Sequence, residues 1–366
     1  MNKLFSDFAA VLFLFLALLV APLTAFADDD ECEASGNYQF ICGPQNAEDL
    51  VQIPESKWII SSGMMPGVSI YLIDAQQKIW TELYPGDAPQ ARQDMETYGA
   101  CPGSPDPGNF VTHGLNLQPG ANGHSTLYVV GHGEREAVEV FDVNANNTTP
   151  VLTWIGCVMT PDGMAANSVA SLGDGSLAAT IPLHHGKEIS DALAGEITGA
   201  IYEWSPGDVT FTMIEGTEMP YANGIEFSDD GREIYVASSG LFTVAAYSNS
   251  NPARQLRSTE TLGFVPDNLH MANDGTLITA GLNIEDAKCG EVLRTHDFDL
   301  EKFAACPRPF TVLAIDPQSM QSKSLASNPA IDQFSNITMG LPVGGEIWIG
   351  TFSGDRIAYR SLNQKD

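Results

Sequence analysis

The sequence predicts an all-β fold, a six-bladed β-propeller with four-stranded blades around a central tunnel. Three observations lead there. A polar pair, a short alternating apolar stretch, a turn and a β-rich stretch ending in small residues recur as a unit six times in 366 residues. Successive copies begin 44 to 68 residues apart, room for about four ordinary strands and their loops. No long amphipathic helical pattern interrupts the series. A β-sandwich or two stacked barrels is the rival architecture. Neither explains why the polar pair returns at the same place in every unit.

The units follow in order. Glu48-Asp49-Leu50 leads to Trp58-Ile59-Ile60-Ser61-Ser62, and His113-Gly114-Leu115 leads to Leu127-Tyr128-Val129-Val130. Asn167-Ser168-Val169 precedes Leu177-Ala178-Ala179-Thr180, and Asn223-Gly224-Ile225 precedes Ile234-Tyr235-Val236-Ala237. Asp267-Asn268-Leu269 leads to Leu277-Ile278-Thr279-Ala280, and Ser335-Asn336-Ile337 to Ile347-Trp348-Ile349-Gly350. Most turns inside these pairs carry Gly-Asp-Gly, Asp-Asp-Gly, Asn-Asp-Gly or Gly-Gly, which supply the positive φ that tight hairpins need. A further alternating strand follows most copies: Ser69 to Ile73, Ala137 to Val143, Ala200 to Trp204, Thr243 to Tyr247 and Arg356 to Tyr359.

Residues 1–27 read as a secretory signal peptide. Lys3 supplies the basic start, Ala9 to Val20 is an uncharged apolar run, and Ala25-Phe26-Ala27 is a cleavage signature before Asp28. The rival, an uncleaved membrane anchor, needs a longer apolar core. Residues 28–366 are then one propeller domain, secreted or periplasmic, with no stable membrane insertion after cleavage. Six cysteines suit an oxidising compartment. Their spacing suggests the local pairs Cys32 with Cys42, Cys101 with Cys157 and Cys289 with Cys306, although six cysteines allow fifteen pairings. None forms a C-x-x-C, which argues against a zinc or redox site. Asn146, Asn147 and Asn336 open glycosylation sequons.

With 46 acidic against 17 basic residues, the formal charge is −29. No Lys/Arg cluster offers a phosphate footprint, which excludes nucleic acid and disfavours anionic lipid. The same charge attracts cations. At 43% hydrophobic residues the chain has material for a large core.

In a propeller the innermost strand of each blade lines the tunnel, and all these strands start at the same end. Glu48, Asp49, Asn167, Asn223, Asp267 and Asn268 are therefore expected in one ring. Three acids so close would repel and be driven toward protonation unless a cation sat among them. Hard oxygen donors without Cys or His select Ca²⁺. Taken singly, each Asn reads as a turn or a cap; in register they read as a site. The second unit departs by placing His113 at the ring position, with His132 just after its strand, and imidazole beside a cation suits general-base work near pH 7.

On these residues the chain resembles the paraoxonase-type arylesterases and lactonases, in the superfamily that includes gluconolactonases. The motifs are Glu48-Asp49-Leu50 with Ile60-Ser61-Ser62-Gly63, His113-Gly114-Leu115, Val130-Gly131-His132, Ala222-Asn223-Gly224-Ile225, Pro266-Asp267-Asn268 and Ile349-Gly350-Thr351-Phe352, in family order. The likeness runs from Glu48 to Ser361. It implies a catalytic Ca²⁺ in the tunnel held by Glu48, Asn167, Asn223, Asp267 and Asn268. It also implies His113 as general base with His132 as its dyad partner, hydrolysing small-molecule lactones and aryl esters. A second, structural ion would use Asp49 and the backbone carbonyl of Leu115, but Ser168 stands where the family has an acid. The family's disulfide joins the chain ends, and Arg360 stands at its C-terminal position. Tyr221 and His184-His185 are candidates for the substrate wall. A sugar lactonase and a non-catalytic calcium-stabilised binding propeller are the alternatives, and the His113/His132 pair argues against the second.

Overall fold

The computed structural model describes residues 32–86, 89–292 and 294–363; the expected signal peptide lies outside them. Six antiparallel sheets, each with four strands in up-and-down order, form the blades of the expected propeller. The inner strands are Leu50–Gln52, Val111–Pro119, Val169–Ser171, Ala222–Phe227, Leu269–Met271 and Ile337–Val343. Each begins at or within three residues of the repeated polar motif. The second strands, among them Leu177–Ile181 and Leu277–Leu282, are buried on both faces. Each blade is covered by its neighbours on either side, so these strands read as continuous apolar runs rather than strict alternation.

Backbone contact between neighbouring inner strands explains two glycines of the repeat. A Cβ on Gly114 would lie 2.5 Å from the Asn167 carbonyl, and one on Gly224 2.5 Å from the Asp267 carbonyl. The same two glycine N–H groups donate to those carbonyls at 3.2 and 3.1 Å. Any side chain there would push adjacent blades apart at the tunnel wall.

Three features were not anticipated. The sixth blade takes its outer strand, Gln39–Cys42, from the start of the domain, paired antiparallel with Arg356–Ser361. This closes the ring with strands from both ends of the chain. Gln90–Ala91 adds a short parallel edge to the second blade. In the fifth blade the third strand, Phe310–Ile315, comes only after a long excursion over residues 283–309. That excursion carries the five-residue helix Leu300–Ala304 and the Cys289–Cys306 disulfide. The other short helix, Ile189–Leu193, sits in the third blade.

Cys101–Cys157 is formed as expected, and Cys32 and Cys42 are also disulfide-bonded, with no free cysteine. Among the described residues no helix is long and apolar enough to cross a membrane. Of the three sequons, the one at Asn336 is closed off, because its side chain is buried and donates to the Ala304 carbonyl.

Candidate metal centre and histidine pair

The strand starts converge at one end of the tunnel on a cavity of about 200 Å³. Glu48, His113, Asn167, Asn223 and Asp267 all line it. Asn268 is tied in behind them, its amide nitrogen donating to Glu48 Oε1 at 2.6 Å. Thr338 Oγ1 donates to the Glu48 carbonyl, so the sixth blade fixes the backbone that carries this carboxylate.

The amide orientations are set by their donors. Asn223 Nδ2 donates to Ser239 Oγ at 2.9 Å, and Asn268 Nδ2 is taken by Glu48. That turns their oxygens the other way. Glu48 Oε2, Asn167 Oδ1, Asn223 Oδ1 and Asn268 Oδ1 are all buried with no hydrogen-bond partner. An orphaned buried acceptor costs about 1–3 kcal/mol. Four of them, from four blades, fit one shared partner, a hard divalent cation. The electrostatics agree. Burial, with Asp49 and Asp267 nearby, pushes the Glu48 carboxyl well up. Burial also drives Asp267 up to about 7, with Asp49 adding to it and a hydrogen bond from Asn223 working against it.

His113 projects into the same cavity, its Nε2 3.8 Å from Glu48 Oε1. Its Nδ1 meets His132 Nε2 at 3.0 Å, and His132 Nδ1 meets Glu136 Oε2 at 2.5 Å. Burial and the neighbouring His132 bring His113 down to about 3, so its imidazole is neutral at pH 7.

Asp49 and Leu115 are brought together, but through different atoms. Asp49 Oδ2 accepts the Leu115 backbone N–H at 2.7 Å. Asp49 Oδ1 accepts the Leu50 N–H at 2.8 Å and faces His270 Nε2 at 2.8 Å. Burial alone would lower His270; the Asp49 and Glu226 carboxylates outweigh it and bring it up to about 10. His270, favoured toward its charged form, is thus the side-chain partner of Asp49. Sequence reading missed His270, although it lies two residues after Asn268 on an inner strand and so shares its face. Glu136 carried no sequence signal, since it stands in a hairpin between two strands.

The mouth of the cavity is apolar. Ile189, Ala192 and Leu193 come from one short helix, and Val292, Phe298, Leu300 and Phe303 from the 283–309 excursion. Arg308 braces that excursion by donating to the Gly290 and Cys289 carbonyls at 2.8 and 3.1 Å. His296, on the excursion, lies 3.2 Å from Asp191 and 3.5 Å from Glu196. Tyr221 lines the cavity as expected; His184 and His185 do not, and His184 instead meets the Tyr202 hydroxyl at 3.1 Å. A wider open hollow of about 830 Å³ lies between the outer parts of the fourth and fifth blades, away from every ring residue.

Solved structures share this architecture. A luciferin-regenerating enzyme superposes with a TM-score of 0.52 at 13% identity, over 88% of this chain and 93% of its own. A gluconolactonase from Xanthomonas campestris gives 0.50 at 12%, over 91% and 92%. Regucalcin from Agrobacterium tumefaciens, described as a calcium-binding protein, gives 0.50 at 10%, over 87% and 90%. At such identities the likeness speaks for the fold alone. No curated protein sequence matches the chain. The family pattern described as the SMP-30/Gluconolactonase/LRE-like region matches residues 70–294, more than half of the sequence, and the chain belongs to that family.

Proposed function

We propose that the chain is an exported calcium-dependent hydrolase of lactones and aryl esters. The observation that carries this reading is a single cavity in which orphaned acceptor oxygens, a neutral histidine and an apolar mouth meet. Glu48, Asn167, Asn223, Asp267 and Asn268 would hold one Ca²⁺. When bound, the ion supplies Lewis acidity toward a carbonyl oxygen and stabilises negative charge developing on it. His113, neutral at pH 7, takes the proton of an attacking water at Nε2, and His132 holds the other ring nitrogen. The apolar rim orients the body of the substrate and keeps bulk water from the reacting carbonyl. Asp49 has its oxygens occupied by two backbone N–H groups and His270, so the proposal is for one ion.

The rim favours aryl esters and alkyl lactones, because it offers a sugar ring few hydrogen-bonding side chains. Family membership supports a lactonase in general and keeps sugar lactones as the second reading. Export is supported by the apolar N-terminal run and by the disulfide-bonded cysteines.

The test is hydrolysis of phenyl acetate, an alkyl δ-lactone and glucono-δ-lactone by the purified mature chain, before and after EGTA and with calcium restored. Turnover lost on chelation and recovered with calcium supports the hydrolase, and the preferred substrate decides between the two readings. A chain that binds calcium tightly but turns over none of the three is a binding propeller instead.

A further inference from the structure

We propose that Glu136 is a positioning residue that sets the tautomer of the histidine pair and thereby aims a lone pair of His113 into the cavity. The inference rests on the hydrolase reading for its catalytic meaning and on hydrogen-bond order for its content. A carboxylate can only accept, so the 2.5 Å contact between Glu136 Oε2 and His132 Nδ1 puts the proton on Nδ1. Where that is the ring's one proton, Nε2 is left as an acceptor. Its partner at 3.0 Å, His113 Nδ1, must then carry the donated proton. With its one proton on Nδ1, His113 presents its lone pair on Nε2, the nitrogen that faces Glu48 Oε1 at 3.8 Å. One carboxylate at the far end of the chain of hydrogen bonds thus decides which nitrogen of His113 is basic.

The carboxylate is itself anchored. Both the backbone N–H and Oγ1 of Thr160 donate to the Glu136 carbonyl, each at 3.1 Å, fixing the hairpin that presents it. The step it serves balances simply. As the water oxygen bonds to the ester carbonyl carbon, its proton passes to His113 Nε2; that proton later leaves with the alkoxide of the cleaved ester. During that interval the His113 cation keeps its Nδ1–H donated to His132, whose own Nδ1–H is held by Glu136.

The experiment uses the mature chain with ¹⁵N-labelled histidine, loaded with calcium. In the wild type the ring shifts of His132 should report a proton on Nδ1 and none on Nε2. Glu136→Ala should lose that single tautomer and lower kcat about 10- to 100-fold, the scale of removing a group that orients another. KM and calcium affinity should not change. Glu136→Gln, which keeps the shape and one acceptor oxygen, should fall between the two. A wild-type His132 protonated at Nε2, or Glu136→Ala with full kcat, overturns the inference. A wild type inert toward every ester and lactone refutes the hydrolase reading, while the tautomer measurement still decides the role of Glu136.

Discussion

Asp267→Asn should change the stability of the chain with opposite sign in the absence and presence of calcium. Without an ion, the Asp267 carboxyl is pushed from 3.8 up to about 7, mainly by burial. A carboxyl raised on folding keeps a proton that the unfolded chain releases, so stability falls as pH climbs from about 4 to about 7 and is flat above. A rise of that size corresponds to roughly 4 kcal/mol of unfavourable ionisation at pH 8. The amide carries no charge and avoids that cost, less whatever the bond from Asn223 contributed. The melting entropy of a unit of this size, Ala34–Asp366, is roughly 0.7 kcal/mol/K at about 2.1 cal/mol/K per residue. In EGTA at pH 8 the variant should therefore melt about 3–6 °C above the wild type, and at pH 4 the gap should close. With calcium the order reverses. The wild type gains about 5.4 kcal/mol at a ten-thousandfold excess over Kd, more than the cost of the buried ionisation, while the variant, with one anionic ligand fewer, gains little. Scanning calorimetry at the two pH values, with EGTA and with calcium, reads all of this. A variant that melts lower in EGTA at pH 8, or keeps the full calcium shift, would refute the reasoning.

Three further predictions concern single groups. Glu48→Gln should abolish calcium binding, measured by calorimetric titration, together with turnover, since it removes the buried carboxylate whose Oε2 has no other partner. His113→Gln should lower kcat about 10²–10⁴-fold with calcium still bound, as loss of a general base does; full activity would show that water is activated elsewhere. Replacing Cys289 and Cys306 by Ser releases the excursion that carries Phe298 and Phe303. KM for an alkyl lactone should then rise severalfold, while KM for phenyl acetate, which needs less of the rim, should change less.

Much of the site was legible in the sequence. A propeller places equivalent residues of successive units at equivalent points around one axis, so finding the repeat located Glu48, Asn167, Asn223 and Asp267 together. What escaped was of another kind. Gln39–Cys42 is four residues long, and its partner strand lies at the opposite end of the chain, so nothing local marks it as the closing strand. His184 and His185 read as wall residues because they follow the β-rich stretch of the third unit, yet the chain turns His184 away toward Tyr202. Asn336 satisfies a glycosylation pattern and is buried. Glu136 and His270 act through ångström distances to groups on other strands, and no spacing encodes a distance across a sheet.

The sequence by itself determined the architecture, the six-unit repeat and the oxygen-rich composition of the ring, because periodicity and turn chemistry are local properties of a chain. Only the tertiary structure decided which ring oxygens are left without a donor, that His270 pairs with Asp49, and that an apolar excursion roofs the cavity. Those outcomes depend on which donors reach which acceptors once the blades have packed, and that is settled between strands rather than along them.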